Sequence, residues 1–554
     1  MKKLYYILFA ISFLILNSSI YKTIFAETVE FELSCNETEQ FNIDSDYPVY
    51  FRKMDIRNNS RETVKDFWIY LNDKNWSNKE GVAEYLQSKN RSTTPTIHQK
   101  VMMVYSFIER NMYPFHTPIA NWKLHDAVFN LNIFGYGLCD DYSHIMEGVV
   151  VDYLNILPQK YSRVQALKGH VVPEFFYNNR WHSPDANISY YTYKGHECLG
   201  VRELSSSLTS IIRTVFPGKK GENLAQIYST KKNNSIIQKW RYPSPTFRWN
   251  IKPGEVIKIY YDNWGKYYSK TKISDPPPTF SNGKILLPVI KNFPESFLNY
   301  HNIKKETNIL TLSDQRSTGS LICRIESPYI ITDSELMISS LNNINEEDIE
   351  VMFSRDMKKW DSLKILNTEK EVRVNIGQQK HFSNIYDFYQ SFFLKIVLHS
   401  PLFIENMKII TDFQINTKSL PDLVKGMNKV HRTDNTASTP SLFVSLEYKK
   451  ENFQIAPPVN VRYNPEKKKI FWEPPTQTNS LAGYKIMISS DQSCMWPVQP
   501  HVTEGRVDKK QHHFSLKNSD IFFAEKQDYY FRISSIYEGK REYIRSSEIH
   551  SFRF

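Results

Sequence analysis

Glycine and cysteine are both scarce in this chain, 18 and five of 554 residues. Cys35, Cys139, Cys198, Cys323 and Cys494 stand far apart and are odd in number, which excludes a dense disulfide framework and leaves at least one thiol free or paired with another molecule. No two of them are at zinc-ligand spacing, so a structural zinc site is not expected. Long basic runs are missing too; the two densest, Val507 to His513 and Asn464 to Lys469, are short. Charge this scattered reads as solvated surface, allows weak attraction to an anionic surface, and excludes a nucleic-acid footprint. There is no RGD tripeptide, so integrin-type adhesion is not implied, and no internal repeat of the kind that marks solenoids or propellers. After the first 26 residues no apolar run approaches the ~20 residues of a membrane span.

At the N-terminus, Lys2 and Lys3 precede an apolar run from Leu4 to Leu16, and a small residue, Ala26, follows. Residues 1–26 therefore read as a secretory signal peptide, the alternative being an uncleaved anchor. Its removal takes away Lys2, Lys3 and Lys22 and lowers the formal charge from +11 by three, to +8. The mature protein is expected to be secreted or extracytoplasmic, with no membrane span.

Aromatic residues are abundant, 34 Tyr and 34 Phe, and with the β-branched segments they point to extensive sheet. Residues 27–98 read as an N-terminal strand and a helical region that packs on the core of the next unit. Residues 99–270 open on a helical stripe, Val101, Val104, Tyr105, Ile108 and Met112, and turn to strands after Tyr161. "SDPPPTFSNG" reads as a linker. Residues 286–434 run strand after strand, the pattern of a β-sandwich. Within them "SRDMKKWDS" resembles the S-x-D-G-x-x-W turn of carbohydrate-binding sandwiches, with Met357 in the glycine place and Trp360 read as core rather than as a sugar platform. Residues 456–554, with Trp472 as core and Tyr529 as the corner that pins a strand crossing, resemble a fibronectin type III domain.

The run "GYGLCDDYSHIMEGVVVDYL" places Cys139 at the start of a helix whose apolar face continues through Tyr142, Ile145, Met146, Val149, Val150, Tyr153 and Leu154. The partial positive charge of a helix N-terminus favours thiolate over thiol, although a buried structural cysteine would satisfy the same pattern. "GHVVPEFFYNNRWHSPDAN" supplies partners. Asn178-Asn179 suits a two-residue hairpin turn that pairs Tyr177 with Arg180. Carried outward, this register pairs Val172 with Asp185 and His170 with Asn187, making His170 and Asp185 diagonal neighbours roughly 7–8 Å apart at the backbone. A thiol at a helix start and an imidazole oriented by a carboxylate are the parts of a nucleophilic acyl-transfer site. Glu174 is the alternative carboxylate, and Trp122 and Asn132 are the candidate side-chain oxyanion donors. His182 alternates to the opposite hairpin face and is a poor triad member. Asp140, Asp141 and His144 could bind a metal, but His144 lies off the apolar stripe and is expected to face solvent; no metal and no cofactor are expected.

These two runs, with G-x-C opening a helix, G-H near a strand and W-x-x-x-D closing the hairpin, resemble the transglutaminase-like superfamily over about residues 99 to 190. The resemblance implies an α+β papain-like core followed by all-β sandwich domains, with Cys139 as nucleophile, His170 as general base and acid, and Asp185 as the orienting residue. It implies a protein or peptide substrate with an amide group, and a thioester released to an amine or to water. Asp140 stands where the family has a small residue, which leaves the acyl acceptor open. Residues 27–270 are expected to fold alone, with the sandwiches placing the enzyme on a cell-surface or extracellular glycan or protein. The competing reading is a non-catalytic extracellular binding protein in which the transglutaminase-like module is a scaffold.

Overall fold

Alternating apolar and polar side chains near the N-terminus form four strands: β1 (Glu27–Leu33), β2 (Thr38–Ile43), β3 (Val49–Arg57) and β4 (Val64–Leu71). The computed structural model describes residues 26–89, 94–114, 125–155, 160–191, 193–194, 197–206, 226–228, 235–237, 246–267, 280–291, 293–380, 382, 389–434, 440–490, 492, 504–516, 528–539 and 542–553. The expected signal peptide up to Phe25, Trp122 and Cys494 lie outside the described residues.

Four helices follow β4: α1 (Lys79–Lys89), α2 (Ile97–Asn111), α3 (Ala127–Ile133) and α4 (Cys139–Leu154). Helix α2 starts where Thr96 accepts the Gln99 N–H at 3.2 Å and the Gln99 side chain accepts the Thr96 N–H at 2.8 Å. Its stripe of Val101, Val104, Tyr105, Ile108 and Met112 is buried, as the spacing predicts. The chain then forms β5 (Ser162–Leu167), β6 (His170–Tyr177) and β7 (Arg180–His182), joined later by β8 (Ser235–Ile237) in the order β8-β5-β6-β7. One core of buried side chains unites Trp76, Leu86, Val104, Ile145, Val149, Phe175 and Tyr177, so α4 lies between the other helices and this small sheet.

The remaining architecture is predominantly β, in several sheets. Its principal strands before Val459 are β9 (Trp249–Ile251), β10 (Val256–Tyr260), β11 (Phe280–Pro288), β12 (Gly319–Ser340), β13 (Ile349–Ser354), β14 (Tyr389–Leu398), β15 (Ile404–Asn416), β16 (Gly426–Asp434) and β17 (Leu442–Lys450). A large sheet runs β1-β17-β3-β10-β11-β15-β12-β14-β13, and a four-stranded one runs β9-β4-β16-β2. Pairing therefore crosses the boundaries expected near residues 98, 270 and 434. Glu27 sits opposite Tyr448, Thr38 opposite His431, and Val256 lies between Arg57 and Leu286. Residues 27–270 are thus not a closed unit, and part of the expected linker, Phe280 to Gly283, is strand. Alternation shows that a segment is a strand but not which distant strand it pairs with. Phe41, Phe51, Phe67, Trp249, Ile285, Phe413 and Leu446 share one core between these two sheets, and Leu321, Val351, Val374, Leu394 and Ile409 share another.

The strands after Val459 pair only among themselves, in a three-stranded and a five-stranded sheet. Trp472 is buried there against Tyr484, as expected. Tyr537 pins a strand crossing there: its hydroxyl donates to Gln477 O at 2.7 Å and accepts the Ala456 N–H at 3.1 Å, and Tyr529, expected in that role, stacks on Phe552 inside the core. In the "SRDMKKWDS" turn Met357 has φ +64, the conformation glycine would take, and Ser354 Oγ accepts its N–H at 2.9 Å. Trp360 is half-buried, so the reading of this side chain as core is corrected. Among the described residues no helix is long and apolar enough to cross a membrane.

Candidate active site

The start of α4 is built by the turn before it and by the sandwich beneath. Asp126 caps α3 by accepting the Phe129 N–H at 2.8 Å, and the open carbonyls at the other end of α3 are taken by β15: Asn416 Nδ2 donates to Leu131 O at 2.6 Å and Gln414 Nε2 to Ile133 O at 3.0 Å. Gly135 then turns with φ +63 against the Asn416 side chain. At Gly137 a Cβ would meet Asp141 Cβ at 2.5 Å. That closeness lets Asp141 Oδ2 accept the Leu138 N–H at 2.9 Å, so the helix starts at Cys139. Cys139 is half-buried, and its N–H, at the first helical position, has no intrahelical acceptor.

His170 opens β6 after Gly169, whose φ is +73. The hairpin beyond it turns at Asn178 and Asn179, with φ of +49 and +60, and pairs Tyr177 with Arg180, as expected. The ladder stops at Phe175 opposite His182, so the expected pairs Val172–Asp185 and His170–Asn187 do not form. Ser183 N–H instead donates to Leu199 O at 3.0 Å. Asp185 is placed by its own tight loop: Asp185 and Tyr190 exchange backbone hydrogen bonds of 2.7 and 2.8 Å, and Oδ1 accepts the Asn187 N–H at 3.1 Å and the Ile188 N–H at 3.4 Å. Its other oxygen, Oδ2, accepts from His170 Nε2 at 2.5 Å, and Cys139 is near enough to the same imidazole to act on its charge. With Nε2 on Asp185, Nδ1 is the nitrogen left for sulfur. The structure thus brings Cys139, His170 and Asp185 together. His170 is 8% exposed and Asp185 1%. Burial pushes the His170 imidazole down, but the charge and hydrogen bond of Asp185, with the nearby Cys139, outweigh it and carry it up to about 10.

The other sequence candidates have structural roles. Glu174 accepts from Arg163 Nε at 2.7 Å and from Val201 N–H at 2.8 Å, so it is committed elsewhere. Asn132 spends its side-chain N–H groups on Trp76 O at 2.7 Å and Val128 O at 2.8 Å and is not an oxyanion donor. His182 stacks on Tyr177 with centroids 3.6 Å apart and is fully buried, its two ring nitrogens held at Cys198 O and Tyr177 O. His144, expected to face solvent, is buried, its ring 4.4 Å from that of His125. Helix α4 is covered on more sides than its apolar stripe suggests. His125 Nε2 lies 3.5 Å from both Asp140 Oδ2 and Asp141 Oδ1, so it is His125, not His144, that joins the two carboxylates. Burial, and then the charge of Asp140, push Asp141 up to about 7, while the His125 hydrogen bond and charge, against burial, hold Asp140 below the usual carboxylate range. We read this cluster as an ion-pair network, since Asp141 is already engaged at Leu138.

Sequence reasoning passed over a polar seam on α4. Ser143 and Glu147, four and eight residues after Cys139, are both buried and face β5 and β6. Ser143 Oγ lies 2.6 Å from Cys139 O and 2.9 Å from Val171 O, and Ser162 Oγ donates to Glu147 at 2.9 Å. The signal was present as polar residues at four-residue spacing from the cysteine.

No family model and no curated protein matches this chain. Among solved structures it is similar to the adhesin domain of Epf from Streptococcus pyogenes, at 9% identity over 54% of this chain and 87% of that one, with a TM-score of 0.13. A likeness that slight carries no argument about fold or function.

Proposed function

We propose that the protein is an extracytoplasmic cysteine enzyme of transglutaminase-like type, in which α4 packed on β5, β6 and β7 is the papain-like core. The observation that carries the reading is the 2.5 Å contact of a buried imidazole with a buried carboxylate, on the same imidazole that the helix-start thiol reaches. His170 takes the Cys139 proton, and the thiolate attacks an amide carbonyl of a protein or peptide substrate. The Cys139 N–H, aided by the helix dipole, steadies the oxyanion that forms. His170 then returns the proton to the departing amine, leaving a thioester on Cys139 that an amine or water resolves. Asp185 keeps the imidazole in the tautomer this requires. The sandwich supports the start of α4, and the fibronectin-like tail serves to place the enzyme on an extracellular glycan or protein.

Iodoacetamide labelling of the native protein tests this. Cys139 should label at mildly acidic pH, where an ordinary thiol of pKa ~8.5 is nearly inert. Cys35, also half-buried, is the internal comparator, and the fully buried Cys198 and Cys323 should label slowly. Equal labelling of Cys139 and Cys35, rising together with pH, would favour the scaffold reading. Trapping the acyl-enzyme on Cys139 would identify the substrate.

A further inference from the structure

We infer that Ser143 is a positioning residue for the Cys139–His170 pair, an inference that rests on the function proposed above. The thiol and the imidazole belong to different elements, α4 and β6, and their separation is set by how the helix lies on the sheet. Apolar packing of Ile145, Val149 and Phe175 holds the two together but is non-directional and tolerates sliding by a fraction of an ångström. Ser143 supplies direction at the level of the site. Its one hydroxyl proton is shared between the carbonyl of Cys139, 2.6 Å away, and the carbonyl of Val171, the residue after His170, 2.9 Å away. A single buried side chain, 2% exposed, is thereby bonded to the main chain of the nucleophile and to that of the base's immediate neighbour. A second side-chain tie from α4 to this sheet, Glu147 to Ser162 at 2.9 Å, lies one turn farther from the thiol. It fixes the helix but not the thiol–imidazole distance. Misplacement by about 1 Å can cost about 100-fold in rate, so a tie of this kind matters to chemistry beyond its contribution to stability.

The test compares Ser143→Ala with Ser162→Ala in the full-length protein. Each removes one buried hydroxyl bond between α4 and the sheet, and each should lower stability by a similar amount. The readout is the pH profile of iodoacetamide labelling at Cys139, located by peptide mapping, which needs no substrate. Ser143→Ala should lose roughly tenfold or more of the labelling rate at mildly acidic pH and shift towards the profile of an ordinary thiol, while Ser162→Ala keeps the parent profile. A parent-like profile in folded Ser143→Ala, or an equal shift in both variants, overturns the inference. If Ser143→Ala does not fold, Ser143→Cys, which keeps the shape but offers a weak donor, should show the same shift in part, and no shift overturns the inference. A parent protein whose Cys139 labels like an ordinary thiol would instead bring down the underlying proposal, so the two failures are distinguishable.

Discussion

Nε2 of His170 meets Oδ2 of Asp185 at 2.5 Å, although the ladder joining β6 to β7 ends at Phe175 and His182. The contact therefore owes nothing to continued strand pairing. It depends on the loop from Asp185 to Tyr190, closed by two backbone bonds and by Ser189 at φ +52, which presents the carboxylate already holding the Asn187 and Ile188 N–H groups. A carboxylate fixed by its own backbone before it meets its imidazole is pre-organised to hold that ring in one orientation.

Asp185→Asn should keep the fold and lose turnover. The amide oxygen can still accept from Asn187 and Ile188, which leaves the amide NH2 facing Nε2. That nitrogen must then accept, its proton moves to Nδ1, and the ring can no longer take a proton from sulfur. Turnover should fall by about 10⁴-fold, as expected for the wrong tautomer, with thermal unfolding close to that of the parent. Unchanged turnover in a folded variant would remove Asp185 from the site, and Glu174 would not replace it because Arg163 and the Val201 N–H occupy it.

The raised His170 value makes stability depend on pH in a stated direction. Its proton is held more tightly in the folded protein, up to about 10, than in the unfolded chain, where the imidazole has its ordinary value of 6.5. The stabilisation is fully present below pH 6.5 and is lost as pH rises through 10. Urea unfolding of the parent and of His170→Gln should differ most at about pH 6 and converge near pH 10. A gap that stays constant or widens with pH contradicts the assigned ion pair.

How much of this was legible in the sequence differs from element to element. The start of α4 was readable because glycine, cysteine and the apolar stripe are local, and so was the Asn178–Asn179 turn, whose two positive φ values asparagine tolerates. Ser143 went unread because a stripe drawn through apolar residues skips a buried hydroxyl, and His144 was turned outward for the same reason. Most of the misplaced boundaries have one cause. Glu27 pairs with Tyr448 and Thr38 with His431, and nothing within a strand's own few residues encodes a partner some 400 residues away. Asp185 reaches His170 although the register that suggested the contact does not form, because its short loop brings the carboxylate there.

The turn before α4 predicts a contrast between two glycines. Gly135→Ala meets a positive φ and drives a Cβ to 2.4 Å from Asn416 Nδ2, the group that holds Leu131 O. Gly265 has φ +82 with nothing within 4 Å of its Cβ position. Gly265→Ala should cost about 1 kcal/mol, the backbone term alone. Gly135→Ala should cost that plus about 1–3 kcal/mol for overpacking and should also slow Cys139 labelling at acidic pH. Chemical denaturation of both variants checks this; equal losses would mean that Asn416 moves aside freely.

Truncation separates the part of the chain that the site needs from the part it does not. Ending the chain at Lys270 removes β11, β15, β16 and β17. That leaves β1 and β2 without their partners, strips β3 of β17, and takes Gln414 and Asn416 from the end of α3. The fragment 27–270 should not fold, because its apolar strand faces lose the other half of their core. Ending the chain at Lys450 instead removes only strands that pair among themselves, together with Phe453, whose core is theirs. The fragment 27–450 should fold, keep the acid labelling of Cys139, and act on a small soluble substrate at nearly the full-length rate. If the tail serves placement, action on a large or surface-bound target should drop, because tethering raises local concentration without altering the chemistry. Circular dichroism and labelling of both fragments, with rates on both substrates for the longer one, decide the matter. A folded, reactive 27–270 would show that the sheets crossing residue 270 are dispensable to the site. Equal losses on small and large substrates by folded 27–450 would mean that the tail shapes the site itself.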